Sequence, residues 1–433
     1  CDTGDCTLRE AINAANAAGA GPHTITFAPS LSGQTITLSG DLPTIAVADV
    51  SINGDIDSDG TGDITIDGNG GDNSRYGFRG NAGATNATFI GFTIQNLGLD
   101  PFRFDGSPTG VTIQDMVFRH DDNNFFNQGI NWVGNATDLT IQNVTMTQKQ
   151  NFGGGAIYIT GTATNVLIDG FDLSDSGGGG LQAIRINGAA NGVTIQNSDI
   201  DLDLTANTND GDYGIWFRST ATDITIDNTN VSNSDVYGIR FENVATDVTI
   251  TNTTYDNANG GGNTQGIRFD NVINGLTMTD VSIDMDRTED TGTNDGDYGV
   301  WFNNHINQDD TKQAVFTNLS INQADVAGIN TEDIVNNLTI ENSTFTGNGE
   351  TDTNNYGIEF DNDDAKTDIV INNSTFTNLG SAAIIMDMDG TDNSSNNAFT
   401  NNKISGIVSA TYPGYGFWLW NRNAATDLDI TGN

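Results

Sequence analysis

The sequence predicts an all-β fold, a single right-handed parallel β-helix with three short strands per coil. First, two short patterns, TIxN and GIxF, recur through most of the 433 residues, and such repetition is typical of solenoids. Second, apolar and polar residues alternate within both patterns, as in strands with one buried face. Third, Asn, Asp or Gly follows the TIxN pattern, where a tight turn needs positive φ. One unit cannot bury its apolar face alone, so successive units must stack.

The first element expected is a short amphipathic helix that caps the N-terminal end. Within "CTLREAINAANAAG", Thr7 and Glu10 have the spacing of a capping box. Four apolar residues then share one helical face, Leu8, Ala11, Ile12 and Ala15. Such a helix covers strand edges that would otherwise be open. We predict a disulfide and capping segment at 1–22 and a β-helix at 23–433, which continues beyond the last residue because "ATDLDITGN" begins another repeat.

The two cysteines of the chain lie in the opening "CDTGDC". This spacing favours a disulfide between Cys1 and Cys6 in an oxidising compartment. Two alternatives stay open: both thiols are free, or Cys1 is the lipid-modified first residue of a lipoprotein. A lipid would also place the protein outside the cytoplasm.

The TIxN pattern predicts one strand of each coil and the turn after it. Equivalent residues of adjacent coils stack about 4.8 Å apart. The asparagines that close the pattern should therefore hydrogen-bond along the stack as a ladder. The clearest members are Asn143, Asn197, Asn228, Asn252 and Asn342. One unit, centred on Gly170, interrupts this ladder.

The GIxF pattern predicts a strand whose Ile and Phe point into the core and whose x residue points outward. Stacking puts the x residues into one column, which holds five arginines and three tryptophans. The candidate ligand-binding residues of this column are Arg185, Trp216, Arg240, Arg268, Trp301 and Trp418. Indole faces stack on sugar rings, and guanidinium groups pair with carboxylates or sulfates, which indicates a groove for an acidic polysaccharide.

A structural interpretation of the same column stays open. The next outward column, Arg218, Glu242, Asp270 and Asn303, places carboxylates beside the arginines. These acids would supply the anion internally, and exposed pairs of this kind are common and weak.

A separate acidic loop, "DIDSDGTGD", is a candidate metal site. Asp55, Asp57, Asp59 and Asp63 alternate with other residues around a glycine, as in calcium-binding loops. The twelfth position is Ile66 rather than Glu, so the loop is not a complete EF-hand. We predict a structural calcium ion here; the alternative is a solvated acidic turn.

The N-terminal segment resembles a known group of proteins. "CTLREAI", with the downstream "ITF", "LSGQTITL" and "LPTI", is similar to the CSLREA-type start of secreted bacterial and archaeal β-helix proteins, which share the pectate-lyase-like superfold. The strict motif covers residues 6–11, with Thr7 in place of Ser. The resemblance implies the β-helix fold and a surface or secreted location. It implies no catalytic residues.

Charge and hydropathy limit the possible partners. The formal charge of −42 argues against binding to nucleic acid or anionic membranes. No apolar run approaches the roughly 18 residues of a membrane span, so no membrane insertion is expected in this segment.

The function predicted is that of an extracellular structural or adhesin-type segment of a longer surface or secreted protein. It would bind an acidic glycan or a cell-surface partner through the Arg/Trp column. The alternative is a polysaccharide lyase or uronate epimerase. The best local candidates for its chemistry are Arg119, His120, Asp121 and Asp122 in "FRHDDNN". A lone histidine among acids is more often solvated, so the sequence favours a protein that is not an enzyme.

Overall fold

The fold is an all-β, right-handed parallel β-helix with one short N-terminal helix, as the sequence predicts. A computed structural model describes the following parts of the chain: residues 6–68, 75–120, 127–148, 155–174, 181–202, 213–257, 264–285, 298–347, 355–361, 364–387, 395–407, 414–420 and 426–433. The chain divides into two compact units, Cys1–Thr205 with Asp210–Asp212, and Ala206–Asn209 with Tyr213–Asn433.

The capping helix, α1, spans Leu8–Ala18. Its capping box is formed in both directions: the Thr7 N–H donates to Glu10 Oε2 at 2.9 Å, and the Glu10 N–H donates to Thr7 Oγ1 at 3.3 Å. The apolar face buries Leu8, Ile12 and Ala15, while Ala11 is half-buried. Asn16 fixes the helix to the following chain by donating to the Thr44 carbonyl at 2.8 Å.

The first unit contains two kinds of strand besides a short 3₁₀-helix at Pro29–Leu31. The strands that carry the GIxF positions are Phe78–Asn81, Phe102–Asp105, Ile130–Val133, Gly155–Ile159 and Gln182–Ile186. The remaining strands are His23–Thr26, Thr35–Thr37, Val50–Asn53, Ile64–Asp67, Thr88–Gln95, Thr112–His120, Ala136–Thr137, Thr140–Gln148, Ala163–Ser174, Ala190–Gln196 and Asp199–Asp201.

The second unit has three parallel stacks of strands. The GIxF stack is Tyr213–Phe217, Tyr237–Phe241, Gln265–Phe269, Tyr298–Phe302, Ala327–Thr331, Tyr356–Phe360, Ala382–Asp387 and Tyr415–Trp420. The TIxN stack is Ala221–Asp227, Ala245–Thr251, Ile273–Thr279, Ala314–Thr317, Val335–Glu341, Lys366–Asn372, Ser395–Thr400 and Thr426–Thr431. The third stack is Asn230–Ser232, Thr254–Asp256, Ser282–Asp284, Ser320–Asn322, Thr344–Thr346, Thr375–Thr377 and Lys403–Ser405. Each coil before the last takes one strand from each stack, which confirms three strands per coil.

The core of the second unit is built from aligned side chains of successive coils. Phe217, Phe241, Phe269 and Phe302 stack face to face, with ring centroids 4.9, 4.9 and 5.1 Å apart. Each of these side chains is almost fully buried. A fully buried aromatic side chain contributes more apolar area than any other residue, so this column stabilises the stacking of coils.

The asparagine turns have the predicted backbone but a partly different hydrogen-bond partner. Asn143, Asn197 and Asn252 have φ of 50°, 52° and 49°, a region that Asn tolerates better than most residues. Their amides donate along the stack, but mainly to a carboxylate: Asn252 Nδ2 donates to Asp227 Oδ1 at 2.9 Å. An Asn amide meets a charged acceptor there, so the bond is stronger than one between two amides. The ladder is therefore a mixed Asn and Asp ladder.

Gly170 occupies the equivalent turn in the interrupted unit, with φ of 69°. A Cβ there would lie 3.0 Å from Asn143 Oδ1. Because Gly170 has no side chain that could accept a hydrogen bond, Asn197 Nδ2 donates to Asp169 Oδ1 at 2.7 Å.

Two predictions about the chain's ends stay predictions. Cys6 is disulfide-bonded, but Cys1, its predicted partner, lies outside the described residues. The division into a capping segment at 1–22 and a single β-helix domain at 23–433, with a continuation beyond it, is likewise untested.

Candidate functional site

The outward column of the GIxF stack forms a continuous row in the second unit. Strand pairing places each x residue next to its equivalent on the adjacent strand. In order, the row is Trp216, Arg240, Arg268, Trp301, Asn330, Glu359, Ile385 and Trp418. Five of the six predicted ligand-binding residues therefore lie on one face of one unit.

The two adjacent arginines of this row share one carboxylate. Arg240 Nη2 lies 2.6 Å from Asp270 Oδ2, and Arg268 Nε donates to Asp270 Oδ1. The three side chains are 18%, 16% and 14% exposed, so the charges are largely removed from water. Of the two interpretations that the sequence left open, this contact favours the internal anion.

Aromatic rings cover the same arginines. Arg268 lies 4.2 Å from the Trp301 ring centroid, and Arg240 lies 4.7 Å from that of Tyr237. Burial acts to lower the pKa of Arg240, but its hydrogen bond and ion pair with Asp270 outweigh this and raise the pKa. The guanidinium groups are thus fixed and charged parts of the face.

Aromatic and polar contacts also fix the orientation of Trp216. Its ring stacks on Tyr213 with the centroids 4.7 Å apart and an angle of 11° between the rings. Its Nε1 donates to Glu242 Oε2 at 3.1 Å, and Arg218 Nε donates to the same oxygen at 3.2 Å. The indole is half-buried, with its orientation set by these contacts.

The packing of Tyr213 on Trp216 recurs at the other two tryptophans of the row, because each of them also has a tyrosine three residues before it. Tyr298 packs on Trp301 at 4.6 Å, and Tyr415 packs on Trp418 at 5.0 Å. All three Tyr–Trp pairs lie on the outward side of the GIxF stack. Sequence analysis did not include these tyrosines, although "YGIWF", "YGVWF" and "YGFWL" carry the signal.

The strands between the second and third Tyr–Trp pairs present smaller or less exposed side chains. Ala327, Tyr356, Ala382 and Ile385 form a buried cluster, and Tyr298, Tyr415 and Trp418 pack against it. Asn330 follows Trp301 in the outward row and is only 3% exposed. Its Oδ1 atom is buried and has no hydrogen-bond partner among the described residues.

Three carboxyl groups interact beside Asn330 in the row, and one of them is its direct neighbour. Glu359 is its neighbour in the row, and Glu332 and Asp361 each follow the end of a strand. Burial, followed by the charges of Asp361 and Glu332, raises the pKa of Glu359 to about 8. Burial also raises the pKa of Glu332. The sequence contained too many acidic residues to single out this group.

The same carboxyl groups raise the pKa of a neighbouring tyrosine. Burial, followed by the charges of Glu359, Glu332 and Asp361, raises the pKa of Tyr298 to about 12. This part of the face is therefore an electronegative region bounded by aromatic rings.

Arg185 lies in the first unit, whereas the other five predicted ligand-binding residues belong to the second. It lies 5.2 Å from the Tyr158 ring centroid and donates to Asn187 Oδ1 at 2.7 Å and to Gln182 Oε1 at 2.9 Å. Its column continues through Arg79, Arg103, Asn131 and Tyr158.

Three of the four predicted calcium ligands come together. Ligand oxygens of Asp55, Asp57 and Asp63 all lie within 4.8 Å of one another, and Asp55 is buried. Asp63 Oδ2 accepts the Ile56 N–H at 2.7 Å, and its hydrogen bonds to Ser32 and this amide lower its pKa. This cluster has the oxygen-only chemistry of a site for a hard cation.

Asp59 does not belong to that cluster. Its Oδ1 accepts the Thr61 N–H at 2.8 Å and the Thr61 hydroxyl at 2.6 Å. The sequence spacing could not reveal this, because a side chain two residues away competes for the carboxylate.

Of the candidate catalytic residues, Arg119 lies near the end of the strand Thr112–His120. Asp121, Asp122 and the side chain of His120 lie outside the described residues, as do most of the two "TNDGDYG" loops. Across the described chain, no helix is both long and apolar enough to span a membrane.

No protein-family model matches the chain, and no curated protein matches it. A PL6 alginate lyase in complex with a trisaccharide aligns at a TM-score of 0.46 and 13% identity, over 97% of this chain and 95% of that one. The catalytic unit of a GH87 α-1,3-glucanase from Streptomyces thermodiastaticus aligns at 0.40 and 13%, over 98% of this chain and only 65% of that one. PfbA, a surface adhesin of Streptococcus pneumoniae, aligns at 0.39 and 14%, over 86% and 82%.

Proposed function

We propose that this chain is an extracellular or cell-surface β-helix segment that binds a polysaccharide along the outward face of the GIxF stack in the second unit. The observation that carries the proposal is the threefold Tyr–Trp pair, Tyr213 with Trp216, Tyr298 with Trp301, and Tyr415 with Trp418. Flat, half-buried aromatic surfaces with a fixed orientation are suited to stacking against sugar rings.

The charges on the face favour an uncharged glycan over an acidic one. Asp270 already occupies the guanidinium groups of Arg240 and Arg268, so neither is available to a ligand carboxylate without losing an ion pair. The net charge of −42 also repels a polyanion. An acidic glycan, the ligand expected from the sequence, would have to displace Asp270.

The test is a binding assay with uncharged polysaccharides and with pectin, alginate and sulfated polymers. We expect Trp301→Ala and Trp418→Ala to weaken binding of an uncharged polymer at least tenfold, with little change in melting temperature. Tyr158→Ala is the matched control, because Tyr158 is an aromatic residue at the outward x position of a GIxF strand in the first unit.

Two outcomes would contradict this proposal. Equal losses in Tyr158→Ala and the tryptophan variants would show that the face has no special role. Tight binding of an acidic polymer, with unsaturated uronate products that absorb in the ultraviolet, would favour the lyase alternative.

We also propose that Asp55, Asp57 and Asp63 bind calcium with a structural role. The arrangement that supports this is the convergence of their carboxylates in the loop after the strand Val50–Asn53. Calcium prefers such oxygen ligands.

A further inference from the structure

The electronegative region between the Tyr298–Trp301 and Tyr415–Trp418 pairs has a geometry that binding alone does not explain. The two pairs are separated by four strand-to-strand steps. At about 4.8 Å per step this is roughly 19 Å, which is long enough for several sugar rings. The aromatic pairs would hold a chain at both ends, across the residues between them.

We propose that Glu359 and Asp361 are the acid and the base of a hydrolytic site for an uncharged polysaccharide bound along this face. The inference rests on the glycan binding proposed above and names its substrate class. It also places the chain among the enzymes, a class that the sequence did not favour.

The positions of the two residues suit these roles. Glu359 and Asp361 are two residues apart on one extended segment, and the Asp361 N–H continues the strand ladder by donating to the Thr331 carbonyl at 2.9 Å. Alternate residues of a strand share one face, with Cα atoms about 6.6 Å apart. Carboxyl groups that hydrolyse glycosides lie about 5 to 9.5 Å apart, a separation that side chains on Cα atoms at this spacing can adopt.

A second observation independently indicates a ligand at this point. Asn330, the neighbour of Glu359 in the outward row, buries a side-chain oxygen without a hydrogen-bond partner among the described residues. Leaving a buried acceptor unpaired costs about 1–3 kcal/mol. A sugar hydroxyl that donates to Asn330 Oδ1 would remove this cost.

The protonation states are those that the chemistry needs. With its pKa raised to about 8, Glu359 is protonated at neutral pH. Like charges that share a site separate in this way, so that one group remains an acid while another is ionised. The charges of Asp361 and Glu332 act on Glu359, and Glu359 in turn acts on Tyr298. Arg268 acts on Glu332 and Tyr298, and Tyr356 begins the strand that carries Glu359.

The reaction follows from these assignments. The Glu359 carboxyl transfers its proton to the glycosidic oxygen as the bond from C1 to that oxygen breaks, and the electron pair leaves with the oxygen. Asp361 removes a proton from a water molecule, whose oxygen forms the new bond to C1. One water is consumed, and the proton on Asp361 returns through solvent to Glu359. No other co-reactant is required.

The experiment measures binding and new reducing ends on α- and β-linked glucans, mannan and xylan with the whole chain. We expect at least one bound polymer to be cleaved. Glu359→Gln and Asp361→Asn should each lower the rate about 100-fold or more while binding is retained. Glu341→Gln, an outward glutamate of the TIxN stack, is the matched control and should keep the full rate.

The outcomes separate the two proposals. Binding of a polymer without cleavage of any polymer that binds would overturn the hydrolytic site and leave a binding face. Absence of binding to every polymer would overturn the glycan-binding proposal itself. Cleavage that survives Glu359→Gln would show that this carboxyl is not the acid.

Two measurements against pH test the assignment of Glu359 in addition to the activity of the variants. The wild-type rate should fall above about pH 8, as Glu359 loses its proton. Between the unfolded pKa of 4.5 and the folded pKa of about 8, the folded chain holds a proton that the unfolded chain has released. Stability should therefore fall as pH rises through this window, and Glu359→Gln should reduce that fall. An unchanged pH dependence in the variant would contradict the assignment.

Discussion

At the scale of single residues, Asp270 decides what the arginine row can bind. It is the common partner of Arg240 and Arg268, which would otherwise place two like charges side by side on adjacent strands. Sequence analysis could identify Asp270 as a neighbour of the arginines, because strand alternation fixes which residues face outward. It could not show that both guanidinium groups converge on one carboxylate, since that depends on side-chain rotamers.

We predict that Asp270→Asn lowers the free energy of unfolding by about 3 kcal/mol, because it leaves two largely buried cations without their anion. The same change should increase affinity for alginate or a sulfated polymer, which would then supply the missing charge. Urea unfolding and a binding titration measure the two effects.

The matched control for this variant is Asp247→Asn. Asp247 pairs with Lys312 at 2.6 Å, but these side chains are 43% and 32% exposed. An exposed pair of this kind contributes little to stability, so the control should be nearly neutral. Equal losses in the two variants would show that the burial of Asp270 has no energetic consequence.

At the scale of elements, strands were easier to predict than loops. The TIxN and GIxF patterns fix the strands and their inward and outward faces, since period-2 alternation and stacking are properties of the backbone. The acidic loop at 55–63 shows the limit: spacing placed Asp59 among the predicted calcium ligands, whereas its carboxylate bonds to Thr61. The same limit applies to the turns, where Asn252 was expected to bond to an amide and instead bonds to Asp227.

The acidic loop allows a test of which aspartates bind calcium: the four that the sequence spacing predicts, or the three whose carboxylates converge in the structure. Calcium should raise the melting temperature, and chelation should lower it, because an ion bound only by the folded state stabilises that state. Asp57→Asn and Asp63→Asn should abolish the increase, whereas Asp59→Asn should retain it. Differential scanning calorimetry with calcium and with EDTA measures the effect. A melting temperature that changes with neither calcium nor EDTA would show that this loop does not bind a structural calcium ion.

At the scale of the whole molecule, the surface charge sets the class of ligand. The formal charge of −42 is evident from composition and predicts repulsion of polyanions such as nucleic acid. The acidic glycan was inferred from the arginine column despite that charge. The alternative left open was that acids from the next column supply the anion, and in the second unit Asp270 pairs with Arg240 and Arg268. The charge of the molecule and the pairing at its face now favour the same, uncharged ligand.

Salt dependence tests this conclusion for the molecule as a whole. Repulsion among the excess carboxylates destabilises the compact state, and salt screens it, with a Debye length of about 10 Å at 0.1 M and 3 Å at 1 M. In EDTA, the melting temperature should therefore rise by several degrees between low salt and 0.5 M NaCl, and equally in choline chloride, which excludes specific sodium binding. Affinity for an uncharged polysaccharide should not change over this range, because stacking on the Tyr–Trp pairs involves no net charge. A steep loss of affinity with salt would instead mean that the ligand is an anion held by the arginines, and the face would have to open the ion pairs of Asp270 to bind it.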